Sequence, residues 1–412
     1  MIPLEWPDGA RIGGRPLPVV PDLARLRAER GSRLRSLMEV NGVDCLLLLA
    51  TGNVAYATGA TAPAADAGRA ALFRNVAVVV RTDPYPHVFT PVPEGAPPEL
   101  PSDHVHPPLY PDLAEGMGAL ASALAELVGP GTVIGVDEQT HPMLARLDGF
   151  EWIDAGAVLG AAKICKTPDE VACIRAAQRI NELAMADVQA ALRPGLRQTD
   201  LSAVLLRRLF ELGATSNCID PIWQVMEPSK ELGPWTVHGD LAFPTPTTDR
   251  FLRAGDVIWN DSGISFEGYA SDFGRTWVVG SSRHVEATKR AQFRRWRDVV
   301  DAVLAVLKPG CTALAMDRAA IEANGGSKPW IEHFYLAHGV GTESAEMPLV
   351  GTDLGEAFDE SLEMAPGMVL VLEPVIWEEG AAGYRAEDIV VVTDDGWAPM
   401  SDYPYDPYEL AP

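Results

Sequence analysis

The chain has few cysteines, no long apolar run and no excess of basic charge, and each shortage excludes a class of protein. Its five cysteines (Cys45, Cys165, Cys173, Cys218 and Cys311) include no CxxC pair. An odd count at loose spacing argues against a disulfide framework. They are expected as buried small hydrophobes, with a nucleophilic thiol as the alternative. The longest apolar stretches, such as Cys45 to Ala50 and Met368 to Leu372, fall far short of a membrane span. The segment Met1 to Asp8 has neither the basic start nor the apolar run of a signal peptide. The expectation is a soluble, cytoplasmic protein with no membrane partner. Against 57 Asp and Glu stand only 33 Lys and Arg, a formal net charge of −24. Such a surface repels phosphate backbones, so nucleic acid is not expected as a partner.

At 412 residues, 47% of them apolar, the chain is too long for one core and predicts two domains. Residues 1–20, rich in Pro and Gly, read as a surface arm. Apolar spacing predicts a helix over Asp22 to Val40, stopped by Asn41-Gly42. Strands are expected over Val43 to Ala50, Val76 to Val80 and Thr132 to Val136, with a helix over about Glu115 to Leu127. Asp83 to Pro101 is rich in breakers. This alternation describes an α/β domain over residues 1–160. Thr167-Pro168-Asp169-Glu170 is a capping box that opens a second domain, residues 161–412.

The second domain repeats itself. Arg193-Pro194-Gly195 closes one helix and precedes another, Asp200 to Leu212, and Lys308-Pro309-Gly310 does the same 115 residues later. Each unit is followed by strand-like segments carrying two acids, Asp261 and Asp272 in the first, Glu373 and Glu387 in the second. The expected result is two hairpins facing each other about a pseudo-two-fold axis. Gly263 and Glu267-Gly268 suit the bend of the first. Asp is depleted in strand interiors, and four converging carboxylates would repel one another and lose hydration. One or two divalent cations remove both penalties. Oxygen ligands with one imidazole, His338, suit Mn, Fe, Co or Zn.

Asp261, Asp272, His338-Gly339-Val340-Gly341, Pro366-Gly367-Met368-Val369, Glu373-Pro374 and Arg385-Ala386-Glu387-Asp388 resemble the pita-bread metalloenzymes. That superfamily includes methionine aminopeptidases, Xaa-Pro aminopeptidases, prolidases and creatinases. Lys166-Thr167-Pro168-Asp169-Glu170 resembles the segment opening its catalytic domain in the prolidase and creatinase branch, and residues 1–160 resemble that branch's creatinase-like N-terminal domain. The resemblance implies an α/β N-terminal domain, an α+β pita-bread catalytic domain and a homodimer. It further implies that Asp261 chelates one metal, that Asp272 and Glu387 bridge two, and that His338 and Glu373 bind the other. A metal-activated water would then hydrolyse a C–N bond of a small molecule or dipeptide, with Glu373 also taking its proton.

The chain departs from the family at one run. Peptidases of this superfamily carry a second histidine seven residues after the ligand histidine, in His-Glu-x-Pro, where this sequence reads Ala345-Glu346-Met347-Pro348. A donor to the scissile carbonyl is therefore missing. His238 is the candidate for a further family histidine, with a plain loop histidine as the alternative. The runner-up function is a metal-dependent lyase of the dimethylsulfoniopropionate-cleaving kind, which also lacks the second histidine and whose tail resembles Tyr403-Pro404-Tyr405-Asp406-Pro407. In that chemistry Glu343 or Glu346 would be the base, against the alternative of surface acids on a loop. Trp235, Trp259 and Trp377 are either core or a cage for a cationic substrate.

Overall fold

The computed structural model describes residues 11–12, 15–16, 20–62, 74–147, 149–229, 231–232, 241, 243–280 and 284–404. The chain divides into two compact units, one running from Pro21 to Lys163 and the other from Ile164 onward.

The first unit is a six-stranded sheet. Its strands are β1 (Cys45–Leu48), β2 (Val76–Val80), β3 (His87–Phe89), β4 (Val105–His106), β5 (Val133–Val136) and β6 (Glu151–Asp154), in the order β4-β3-β2-β1-β5-β6. Alternate residues of β1 face opposite ways. Leu46 and Leu48 pack with Leu34 and Met38 of α1 (Leu23–Val40) and with Val158 of α5 (Gly156–Ile164), whereas Cys45 and Leu47 pack with Leu120 and Leu124 of α3 (Met117–Leu127). With helices on both faces, β1 is apolar throughout, as the sequence run implied. Asp22 caps α1 by accepting from the Arg25 N–H at 3.0 Å, and Asn41 ends it. Three features differ from expectation. The strand predicted over 43–50 stops at Leu48 because Thr51 begins α2 (Thr51–Thr58). The short helix α4 (His141–Arg146) has too few residues to show a period. The breaker-rich stretch after Asp83 contains β3, three residues held at the sheet by pairing with β2.

The second unit begins at the capping box. The Thr167 N–H donates to Glu170 at 2.7 Å, the Glu170 N–H donates to Thr167 at 3.3 Å, and α6 runs from Pro168 to Ala191. The same helix–turn–helix is then built twice. α6 ends at C-cap Leu192 and α8 (Ala287–Val306) at C-cap Leu307. Gly195 and Gly310 follow at φ of +88° and +81°. α7 (Gln198–Glu211) starts after Arg197, and α9 (Ala313–Ala323) after Thr312. Each of these pairs stands 115 residues apart.

Each helix pair is followed by strands. The first set is β7 (Ser216–Met226), β8 (Val257–Phe266), β9 (Tyr269–Ala270) and β10 (Phe273–Val278), with β8 between β7 and β10. The second set is β11 (Ala337–Gly339), β12 (Glu346–Val350), β13 (Val369–Leu372), a hairpin of β14 (Val375–Trp377) and β15 (Gly383–Arg385), then β16 (Asp388–Val392) and β17 (Trp397–Pro399). Its main sheet has the order β12-β11-β13-β16-β17. Glu267 and Gly268, at φ of +50° and +80°, make the two-residue turn between Phe266 and Tyr269. Both central residues being left-handed is what a tight hairpin of this twist requires. Gly263 is not part of that bend. It sits where the β7–β8 register shifts, and a Cβ there would lie 2.6 Å from the Ile219 side chain.

Candidate metal centre

Five side chains from the two strand sets meet at one buried point. Asp261 lies inside β8, Asp272 just before β10, His338 in β11, Glu373 just after β13 and Glu387 just before β16. All five are buried. Oxygens of Asp261, Asp272 and Glu387 lie within 4.8 Å of one another. His338 Nε2 is 3.3 Å from both Asp272 Oδ2 and Glu373 Oε1. Its Nδ1–H donates to the Gly339 carbonyl at 2.9 Å, leaving Nε2 aimed at the acids. That carbonyl contact is the usual device for orienting a ligand histidine.

The two halves are pinned together beside these ligands. The Glu387 N–H donates to the Gly274 carbonyl at 3.0 Å, and the Arg275 guanidinium donates to the Glu387 carbonyl at 2.6 Å. The Thr276 hydroxyl donates to the Arg385 carbonyl at 2.7 Å. Gly274 has to be glycine, since a Cβ would lie 2.8 Å from both the Arg385 and the Glu387 side chains. Behind β8 and β9, Asn181 of α6 donates to the Ser262 carbonyl at 2.8 Å and to the Ser271 hydroxyl at 3.1 Å. Those are the residues after Asp261 and before Asp272, so one amide fixes the spacing of both ligands.

Sequence reasoning gave no role to Arg385, which sits at the middle of the acids. Its Nη2 donates to Asp261 Oδ2 at 3.1 Å, Glu373 Oε2 at 2.7 Å and Glu387 Oε1 at 2.5 Å. The Phe243 ring covers the guanidinium carbon at 4.3 Å. The available signal was strand alternation, which puts Arg385 and Glu387 two residues apart and hence on one face.

Two cationic groups do not neutralise four acids. Within 4.8 Å, two ionised carboxylates repel by ~3.5 kcal/mol or more at an effective dielectric near 20. Burial, and then the Glu387 charge, push Asp261 up to about 8, and burial pushes Asp272 up to about 6. Burial and the neighbouring Asp272 hold Glu387 well above the carboxylate range. Burial, the largest influence on Glu373, would raise it, but Arg385 and His338, through their charges and hydrogen bonds, together outweigh burial and lower that group. For His338, burial is outweighed by hydrogen bonds to Asp272 and Glu373, and its pKa stands well above the ordinary value. Asp261 Oδ1, Asp272 Oδ1 and Glu387 Oε2 are buried with no hydrogen-bond partner among the described residues. Orphaned anionic oxygens in that arrangement fit a divalent cation.

The other expected residues fall elsewhere. Glu346 is buried at the start of β12, and Lys166 pairs with its Oε1 at 2.7 Å. An ammonium thus already occupies the carboxylate offered as a base. Glu343 is exposed on the turn before it, as is Ala345. His238 and Trp235 lie outside the described residues, as does the tail beyond Pro404. Trp259 is core, fully buried with its indole N–H on the Gly383 carbonyl at 3.1 Å, so it cannot wall a cage. Cys45, Cys173 and Cys311 are buried as expected, but Cys218 is exposed, and all five are free thiols.

Comparison with known proteins agrees with this geometry. The chain is 26% identical over 424 residues to the dimethylsulfoniopropionate lyase DddP of Roseobacter denitrificans, covering 94% of this chain and 88% of that one. It is 29% identical over 250 residues to the Xaa-Pro dipeptidase of Pyrococcus furiosus, covering 58% and 63%. Its fold matches the crystal structure of X-Pro aminopeptidase from Thermotoga maritima with a TM-score of 0.72 at 19% identity, over 91% of this chain and 98% of that one. The creatinase/prolidase N-terminal domain family matches residues 30–161, and metallopeptidase family M24 matches residues 172–394. Two strand sets bringing four acids and a histidine to one buried point, on a chain matched by both families, make this protein a member of metallopeptidase family M24 with a creatinase/prolidase N-terminal domain.

Proposed function

We propose that the protein hydrolyses a C–N bond in a small, dipeptide-sized substrate at this centre. The observation that carries the proposal is the set of three partnerless, buried carboxylate oxygens on Asp261, Asp272 and Glu387, beside a histidine whose Nε2 faces Asp272 and Glu373 at 3.3 Å. Asp261 would hold one ion, Asp272 and Glu387 would be shared, and His338 with Glu373 would hold a second. Divalent Mn, Fe, Co or Zn in such a site supplies Lewis acidity and brings the pKa of a bound water toward neutrality. The chain's own residues do the rest. Arg385 keeps Glu373 ionised and oriented, so that Glu373 is ready to accept the nucleophile's proton. The His338–Gly339 contact fixes the tautomer, and Asn181 holds the two aspartates at their separation.

The lyase is retained as a second reading on two observations. Ala345 stands where a peptidase of this family places a donor histidine, and the similarity to the DddP lyase runs over 94% of the chain. The deciding experiment loads the protein with each metal and assays Xaa-Pro dipeptides, creatine, ectoine and dimethylsulfoniopropionate. Hydrolysis of any C–N substrate supports the proposal. Dimethyl sulfide release without C–N hydrolysis replaces it with the lyase. A homodimer is part of the same proposal, and light scattering at the monomer mass would remove it.

A further inference from the structure

Residues 400–404 follow β17 and are fixed along their length, although the metal centre as described gives them no role. The Met400 N–H donates to the Ile389 carbonyl of β16 at 2.8 Å, and the Ile389 N–H donates to the Ser401 hydroxyl at 3.2 Å. Two side chains of α6 hold the next residues. The Asp402 N–H donates to Glu182 Oε1 at 2.6 Å, and the Tyr403 hydroxyl hydrogen-bonds Gln189. Glu182 and Gln189 stand seven residues apart, two helical turns, and so share one face of α6. Asn181, which sets the spacing of Asp261 and Asp272, is the neighbour of Glu182 on the same helix.

The segment held in this way closes around Arg275 of β10. That guanidinium is buried and donates to four main-chain carbonyls. Nη1 reaches Gly274 at 2.8 Å and Glu387 at 2.6 Å, Nη2 reaches Tyr403 at 3.2 Å, and Nε reaches Pro404 at 3.3 Å. The Phe273 and Tyr403 rings lie 4.8 and 5.6 Å from the guanidinium carbon and meet each other edge to face at 5.0 Å. Ring faces attract a desolvated guanidinium. Half of the carbonyls and one of the two rings therefore come from residues 403–404. At its other end Arg275 bears on a metal ligand. The Glu387 N–H is fixed on the Gly274 carbonyl and the Glu387 carbonyl on Arg275, so the direction of the Glu387 side chain depends on both. Glu387 Oε2 is one of the three orphaned oxygens of the centre. A buried guanidinium that lost two acceptors would turn toward others, because an unpaired buried donor is costly.

We propose that Tyr403 is a positioning residue for the metal ligand Glu387, acting through Arg275, which its ring and the carbonyls of residues 403–404 hold against the Glu387 main chain. If the centre takes divalent ions as proposed above, this positioning is read as metal affinity. Mn binding to the full-length protein, stripped with chelator, is measured by titration calorimetry for wild type, Tyr403→Ala, Tyr403→Phe and Trp397→Ala. Tyr403→Phe keeps the ring over Arg275 and loses only the Gln189 contact. Trp397→Ala removes an indole N–H bond to the Leu304 carbonyl at 2.9 Å and loosens the same sheet at its edge strand. Tyr403→Ala is expected to weaken Mn binding by about 10- to 100-fold, the scale for groups that orient metal ligands. Tyr403→Phe should bind close to wild type, and Trp397→Ala should lose Tm but keep its Mn affinity. Wild-type affinity in folded Tyr403→Ala overturns the proposal. Equal weakening in Trp397→Ala, or in Tyr403→Phe, overturns it too, since the effect would then be general loosening or the Gln189 contact alone. No Mn on wild type removes the metal centre itself and this positioning with it. If circular dichroism shows Tyr403→Ala unfolded, Tyr403→Leu, which fills the space without a ring face, carries the same comparison.

Discussion

Replacing Arg385 by methionine tests the electrostatic account of the centre most directly. The guanidinium is 2% exposed and donates to three carboxylates. Methionine fills much of the same volume without the charge. Removing one member of a buried ion pair costs about 3–5 kcal/mol because its partners are left uncompensated. Here the partners are three, although protons can take up part of the charge, so the middle of that range is the expectation for metal-free protein. The catalytic unit has some 250 residues, a size at which 1 kcal/mol moves Tm by roughly 2–4 °C. A fall of ~8–16 °C is therefore expected in chelator. Divalent ions supply the missing positive charge, so the same substitution should cost clearly less in metal-loaded protein. The assay is differential scanning calorimetry of wild type and Arg385→Met, each with chelator and with Mn or Zn. An equal fall in both conditions would mean that Arg385 and the metal do not share the task of neutralising these acids. No fall in chelator would refute the account outright.

Three further outcomes are expected. Asp272→Ala should lose the ions of the catalytic centre, which elemental analysis after Mn, Fe or Co reconstitution would show; wild-type metal content in that variant contradicts the ligand assignment. Wild type should cleave ordinary Xaa-Pro dipeptides poorly, and Ala345→His should raise kcat/KM by up to ~100-fold, the scale of a single donor to the developing oxyanion; wild-type turnover above ~10⁴ M⁻¹s⁻¹ would show the donor to be dispensable. Away from the centre, burial and the Asp359 charge push Asp317 up to about 8. A group raised above its unfolded value contributes stability present below about 4 and lost as pH rises toward 8, so Asp317→Asn should gain in Tm over wild type between pH 6 and 9, and a pH-independent difference would refute this.

The sequence alone determined the features that rest on neighbours along the chain. The capping box at Thr167, the caps of α1, the helix stops at Gly195 and Gly310 and the turn at Glu267-Gly268 are all local hydrogen-bonding or backbone preferences, and the structure forms each where the residues implied. The metal-ligand residues were legible for a different reason. Two acids on each of two strand pairs are costly unless something binds them, and their 112- and 115-residue offsets repeated the helices' spacing. Pairing across long separations was decided only by the tertiary structure. Lys166 neutralises Glu346 from 180 residues away, and Asn181 reaches both Ser262 and Ser271. Trp259, which the sequence left open as core or cage, is buried by the β15 strand. Asp83, His87 and His104 come within reach of one another only because β3 and β4 fold alongside β2. Arg385 shows the division most clearly. Alternation put it on the Glu387 face, but a side chain's charge environment depends on which strands lie opposite, and that is set by the collapse of the two halves onto each other.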